Sequence, residues 1–216
     1  MVLDSKAALD MTMKTPFACQ WIGPSKSGKS TAILKLLQYA NEIVDEPFDQ
    51  ITYVYKVYDP RYENFPHVNF VQNYEPYLTS EEYLANKRSL LILDDVIHEL
   101  CDSIVQLFVC GSHHYNCSII LVQQSLFYKG FKHMRLISIN CDYIMYMKEP
   151  RQKLNIRMLG QQMYPNKLPY FLSAYEDSTK SPHSFLFIDC KPATPDHLRL
   201  RSGIFPDENL VVYIPK

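Results

Sequence analysis

The chain has 216 residues, a mass of 25.3 kDa and a formal net charge of −1, with 47% hydrophobic and 21% charged residues. That length suits one globular domain burying on the order of 70% of its unfolded surface. The near-zero charge excludes bulk basic character, so any nucleic-acid contact would have to come from a local patch or a ring of subunits. No apolar run approaches the ~18 residues that a bilayer span requires.

Residues 1–15 mix charge with apolar side chains and lack the apolar segment of a secretory signal. They read as a loosely ordered lead-in to a single domain over 16–216. Phe17-Ala18-Cys19-Gln20-Trp21-Ile22 follows as a strand. Next comes Gly23-Pro24-Ser25-Lys26-Ser27-Gly28-Lys29-Ser30, which holds two of the chain's six glycines. A helix over about 30–44 is expected, with Ile33, Leu36, Leu37 and Ala40 on one face. Residues 51–55 are β-branched and aromatic and predict a second strand, with a short one over 68–72. Ser80-Glu81-Glu82 reads as a helix start. Leu90-Leu91-Ile92-Leu93 is a continuous apolar strand that stops at Asp94-Asp95, as strands buried on both faces do. A helix to about residue 111 leads to another such strand over 118–122, which ends at Gln123-Gln124. Strands over 142–147 and 185–188, and helices near 151–163 and 170–177, complete the pattern, with a loop-rich last third. Strands alternating with helices imply an α/β fold with a mostly parallel central sheet flanked by helices. Six scattered cysteines without a C-x-x-C pair look like reduced, buried thiols, which points to cytoplasm or nucleus.

Strand, tight loop and helix with G-x-x-x-x-G-K-S at the joint is the pattern of a phosphate-binding loop. Backbone N–H groups of residues 23–31 would meet phosphate oxygens at the positive end of the helix dipole, with Thr31 in the first turn. Lys29 would reach the β- and γ-phosphates, and the Ser30 hydroxyl would ligate Mg²⁺. The substrate expected is therefore ATP or a similar nucleoside triphosphate. Asp94, at the carboxyl end of a buried strand, is the candidate for the Mg²⁺-holding acid. Asp95 would polarise the attacking water, since the next side chain points to the other side of the strand end. Glu99 is an alternative base, and Asp95 could instead serve as a helix cap. Gln124 is the candidate for contacting the γ-phosphate or positioning water, and Gln123 competes with it.

Three further features stand open. Cys110, His113, His114 and Cys117 have zinc-compatible spacing, although a helix exit and polar turn explains them more simply. Residues 128–135, with Lys129, Lys132 and Arg135, form the best basic patch, followed by Arg151, Lys153 and Arg157. That patch is either a solvated face, a DNA contact or the source of an arginine finger. Tyrosines 53, 55, 58 and 62 could stack on bases, but core-and-surface alternation along a strand accounts for them.

The phosphate loop, the 90–95 acidic strand and the segment Gly111-Ser112-His113-His114 through Gln124 together resemble the packaging ATPases of the FtsK–HerA superfamily. The likeness is nearest to the branch of Polinton (Maverick) elements and adintoviruses, and more distant to the poxvirus packaging ATPase. Further similar blocks run nearly the whole length, among them Tyr55-x-x-Tyr58-x-Pro60-x-Tyr62, Lys148-x-Pro150-Arg151 and Leu198-Arg199-Leu200-Arg201. The resemblance implies a P-loop NTPase fold of the ASCE (RecA/FtsK-like) type and a homo-oligomeric ring, commonly a hexamer. It implies Mg²⁺-dependent ATP hydrolysis that drives double-stranded DNA into a preformed capsid, with a capsid or vertex protein as partner, in the host nucleus or cytoplasm where virions assemble. By position it puts Lys29 and Ser30 on phosphate and Mg²⁺, Asp94 on Mg²⁺, Asp95 in the catalytic acid's place and Gln124 in the sensor's. Relatives often carry an arginine after the paired histidines, where this chain has Tyr115; if that arginine acts in them, either Arg135 or Arg151 serves in trans here or trans-activation is weakened. Two other outcomes compatible with the same loop are a nucleotide-binding module without turnover and a small-molecule kinase.

Overall fold

Strand β1 (Ala18–Ile22) is buried over its whole length, so its side chains feed two cores, one on each side of the sheet it belongs to. The computed structural model describes residues 10–84, 87–96, 99, 101–111, 115–126 and 133–215. Its other strands are β2 (Gln50–Tyr55), β3 (Val68–Gln72), β4 (Ser89–Asp94), β5 (Cys117–Gln123), β6 (Tyr143–Met147), β7 (Phe185–Asp189), β8 (Leu200–Ser202) and β9 (Val211–Val212). They form one sheet in the order β3-β2-β4-β5-β1-β6-β7-β8-β9. The first six in that order are parallel, and β7, β8 and β9 are antiparallel additions at one edge. This is the mostly parallel, helix-flanked sheet of a P-loop NTPase.

Alternation along the strands decides which core each residue joins. Cys19, Trp21, Leu90, Ile92, Ile120 and Val122 face helix α1 (Lys29–Gln38) and the short α2 (Ala40–Ile43), where Ile33, Leu36, Leu37 and Ala40 meet them as the 3.6-residue period requires. Ala18, Ile22, Leu91, Leu93, Ile119 and Leu121 face the other way. There they pack on side chains of α4 (Asp102–Gln106), α5 (Met134–Ile139), α6 (Lys153–Met163) and α7 (Leu168–Ser178). A single turn, α3 (Glu81–Leu84), precedes β4. No helix among the described residues is long and apolar enough to cross a membrane.

The register of β5 positions the site. It lies between β1 and β4, with Ile22 opposite Gln123 on one side and Asp94 opposite Val122 on the other. The carboxyl ends of three strands therefore finish at one level, the crevice where open α/β sheets bind ligands.

The expected strands are all present, with bounds moved by a residue or so. The expected helix over 30–44 divides at Tyr39, which leaves helical geometry at φ −108° and ψ 14°. The expected helix to 111 is α4 followed by a π turn, Leu107–Gly111. The end of the expected basic patch, residues 133–135, runs into α5, whose Met134 and Ile137 are buried. The last third holds two strands where loop was expected. Lead-in residue Met13 is buried and bridges Val44.

Strand β8 escaped notice because it is three residues long and one of them is arginine. The Arg201 side chain is 4% exposed and donates to Asp189 Oδ2 at 2.8 Å, with Asp189 7% exposed. It also donates to the Met11 carbonyl and lies over the Phe187 ring. Removing one partner strands a buried charge, whereas removing both need not. We expect Arg201→Ala to cost about 3–5 kcal/mol in chemical denaturation. Arg201→Met combined with Asp189→Leu should recover most of that loss. Equal losses in the two proteins would show that the charge pair is not the cause.

Candidate functional site

The loop after β1 is tied to the neighbouring strand end, with Gly23 N–H donating to the Gln123 carbonyl at 3.1 Å. A Cβ at Gly23 would sit 2.7 Å from Met147 Cβ, so close packing against β6 requires glycine there. Gly28 caps α1 at φ +98°, which a side chain would strain. No side chain caps α1 and its first turn holds no acidic residue. The positive end of its dipole is left for an anion. Lys29 folds back over the loop, and its Nζ donates to the carbonyls of Gly23 (2.7 Å) and Pro24 (3.0 Å). Ser25, Lys26, Gly28, Lys29, Ser30 and Thr31 line a cleft of about 500 Å³. The Ser27 hydroxyl is buried without a partner among the described residues.

Asp94, Asp95, Gln123 and Gln124 line the same cleft. Burial raises the pKa of the Asp94 carboxyl, and Asp95 adds to that, while the Tyr53 hydrogen bond and the Lys29 charge oppose it. The Tyr53 hydroxyl donates to Asp94 Oδ2 at 2.6 Å. Burial lowers the pKa of Lys29, and the carboxylates of Asp94, Asp95 and Glu149 pull it back. The two acids share the cleft for a reason that strand alternation does not supply. The strand stops at Asp94, and Asp95 takes a left-handed φ of 58°, which turns its exposed side chain back into the opening. The two glutamines also share it. Gln124 is exposed one residue beyond β5, whereas Gln123 is 3% exposed and its amide has no partner among the described residues. The donors suit a hard divalent cation: a serine hydroxyl and a half-buried carboxylate, oxygen only, beside a phosphate-type loop.

Three residues take part in ways the sequence did not show, Tyr53 behind the cleft and Arg61 and His183 in its wall. Tyr53 is on the strand next to β4 and two register positions before Asp94, and tyrosine is long enough to span that gap. Arg61, in a 3₁₀ turn over Pro60–Asn64, pairs with Asp59 and donates to Thr31 Oγ1 at 3.2 Å. His183, between α7 and β7, lays its ring over Gly28, with Nδ1 3.3 Å from the Ser27 carbonyl. Nothing in the sequence ties position 183 to position 28. Glu149 lies beyond the lining but is felt by Lys29. Its Oε1 accepts from the N–H groups of Arg151 and Gln152 at the start of α6.

Most of the remaining candidates lie away from the cleft. Arg135 and Arg151 are both exposed and neither lines this chain's cleft. Glu99 pairs with Lys56 and accepts from the Tyr74 N–H. The tyrosines are the exception: 53 and 62 are buried in an aromatic cluster with Phe70 and Tyr58 is half-exposed, but Tyr55, Tyr58 and Tyr62 also line the cleft. His113, His114, Lys129 and Lys132 lie outside the described residues. Of the zinc-spaced cysteines, Cys110 is exposed and Cys117 is buried at the head of β5. All six cysteines are free.

An acid whose folded pKa is raised binds its proton more tightly in the native state than when unfolded. Its ionisation costs stability as pH rises from the unfolded value of 3.8 through the folded one. Ligand-free Asp94→Asn should therefore melt above the wild type at pH 7, and the gap should close towards pH 4. A lower melting temperature at pH 7 would mean that the ionised carboxylate is a net stabiliser.

No protein-family model matches the chain, and no curated protein matches it in sequence. Solved structures do match in fold. The genome packaging NTPase B204 from Sulfolobus turreted icosahedral virus 2, in complex with sulfate, superposes with a TM-score of 0.57 at 13% identity, covering 94% of this chain and 98% of that one. The same NTPase in complex with AMPPCP gives 0.53 at 15% identity, and in complex with ATP-gammaS 0.52 at 15%, each covering 93% and 98%. The fold of this chain is thus that of a P-loop NTPase similar to a viral genome packaging NTPase.

Proposed function

We propose that the chain is an ATP-hydrolysing packaging motor that moves double-stranded DNA into a viral capsid. One observation carries the reading. A half-buried lysine, a half-buried carboxylate and a buried glutamine amide without a partner among the described residues open into one cleft, at the ends of three strands that β5 holds in register. The fold likeness to a packaging NTPase with ATP analogues bound supports the same substrate. The Polinton-like branch and the ring rest on the sequence blocks.

In this mechanism residues 23–31 cradle the triphosphate with their amides. Lys29 exchanges the Gly23 and Pro24 carbonyls for the β- and γ-phosphates, a more favourable partner for a partly desolvated ammonium. Ser30 and Asp94 would hold Mg²⁺, which when bound supplies charge neutralisation on the transferring phosphoryl group. Asp95, turned into the cleft, orients and polarises the water. Gln124 at the rim contacts the γ-phosphate, and Gln123 beneath it offers a second amide. The near-zero net charge of one copy agrees with DNA being held by a ring, in which Arg135 or Arg151 of one subunit reaches the cleft of the next.

ATPase rate measured against protein concentration, with and without duplex DNA, tests this. Activity per subunit should rise steeply with concentration and rise again with DNA. Asp95→Asn should keep Mg-ATP stabilisation of about 2.7 kcal/mol at 100 times the dissociation constant, and lose turnover by roughly 10²–10⁴-fold. Ligand stabilisation without wild-type turnover would make the chain a binding module, and phosphoryl transfer to a small acceptor would make it a kinase. Arg151→Ala and Arg135→Ala should differ, with the finger variant losing about 10³–10⁵ in rate. Equal, small losses would remove both from that role.

A further inference from the structure

Two distant parts of one face of the sheet carry surfaces of opposite charge. After β6 the chain runs through Lys148-Glu149-Pro150 towards α6, and a cavity of about 480 Å³ opens there between α6 and α7. Pro150, Ile156, Leu172 and Tyr175 give it apolar walls. Lys148, Lys153 and Arg157 also line it, exposed, and none of them forms an ion pair among the described residues. Of its two acids, Glu149 already accepts from the N–H groups of Arg151 and Gln152, which leaves Glu176 to face the three cations. Beside them α6 exposes Leu154 and Met158, one turn apart on the same side of the helix.

The counterpart follows β3, at the edge of the sheet. A 3₁₀ turn over Pro76–Thr79 buries Leu78 and leaves Tyr77 47% exposed, its ring edge-on to Tyr83. Residues 73–84 contain three glutamates, Glu75, Glu81 and Glu82, and no lysine or arginine. All three are exposed, and none forms an ion pair among the described residues. Tyr77 is thus an aromatic knob among acids. Tyrosine anchors interfaces well, being apolar along its body and polar at its tip.

Knob and cavity do not meet within one copy. Strands β3 and β6 are five places apart in the sheet, about 24 Å at the usual strand spacing. Yet Leu78 and Leu84 pack into the same core as Ile156 and Tyr175, so both surfaces belong to one face. Both also follow the carboxyl ends of parallel strands. Complementary surfaces set apart in this way join copies head to tail, and such contacts close into a ring where the rotation allows it. Resting on the assembly reading above, we propose that the cavity between α6 and α7 takes the Tyr77 knob of a second copy of this chain. Lys148, Lys153 and Arg157 then face the glutamates of the neighbouring copy. The same docking lays the loop that carries Arg151 beside the neighbour's β2 end, where Val57 is 79% exposed and lines the cleft. Arg151, rather than Arg135, is the side chain this contact delivers to the next copy's cleft.

Charge reversal in pairs tests the fit, with association followed by sedimentation across a concentration series in Mg-ATP. The wild type should assemble. Lys153→Glu with Arg157→Glu puts acids on both surfaces and should weaken assembly by at least about tenfold. Glu81→Lys with Glu82→Lys puts cations on both and should do the same. An equimolar mixture of the two variants should assemble nearly as the wild type does, because each altered surface then finds its opposite. Tyr77→Ala should weaken assembly by about tenfold without any change of charge, and it serves if a reversed variant melts early. Reversed variants that assemble like the wild type, or a mixture no better than its parts, would overturn this contact while leaving the ring itself standing. A wild type that stays monomeric in Mg-ATP would overturn both.

Discussion

An ammonium and a carboxylate, both pulled partly out of water, share one cleft at Lys29 and Asp94, and the rest of the molecule can be understood as what holds them there. Neither charge is well solvated. Burial lowers the pKa of the lysine and raises that of the aspartate, and each offsets part of the other's cost. The arrangement would be a poor way to stabilise a fold, because a desolvated pair repays its burial only with good geometry. Here Nζ is satisfied by the Gly23 and Pro24 carbonyls rather than by Asp94. Two opposite charges kept near one another without a direct bond suit a ligand that carries both an anion and a cation.

The sheet provides the spacing. Because β5 intervenes between β1 and β4, the phosphate loop and the acidic strand end are two strands apart, and Gln123 stands between them. On the far side of β4 an aromatic cluster steadies the acid. Tyr53 donates to Asp94 while packing against Tyr62 and Phe70, and the last two rings stack at 4.3 Å. A carboxylate whose one oxygen is fixed by a buried phenol has little freedom to wander. Of the tyrosines in the 53–62 stretch, 53 and 62 are buried, while 55, 58 and 62 also line the cleft.

The antiparallel edge extends the structure in a different way. Strands β7 to β9 are reached only after two helices, and the buried Arg201–Asp189 pair joins β8 to β7 and to Met11. Through Lys35 the segment that follows β8 is joined back to the phosphate-loop helix. The C-terminal part of the chain is therefore in mechanical contact with the start of α1, and residues far apart in sequence share the walls around Thr31.

The sequence by itself determined what is local. The strand–loop–helix at 17–38, the six parallel strands and the apolar face of α1 were legible because each rests on a period of two or 3.6 residues, on an unbroken apolar run, or on a loop motif with its own backbone requirement. That Lys29, Asp94 and the glutamine pair belong together was also legible, from their places at the ends of apolar runs. Only the tertiary structure decided the rest. The turn after Asp94, with Asp95 at positive φ, put both carboxylates in one cleft, although alternation pointed them apart. Tyr53, Arg61 and His183 reach the site through register and chain reversal, and no short-range pattern encodes contacts over such separations. Strand β8 was hidden because its buried arginine reads as surface until its partner is known. Local periodicity is fixed by nearest neighbours along the chain, whereas a site is fixed by which distant segments bury their surfaces together.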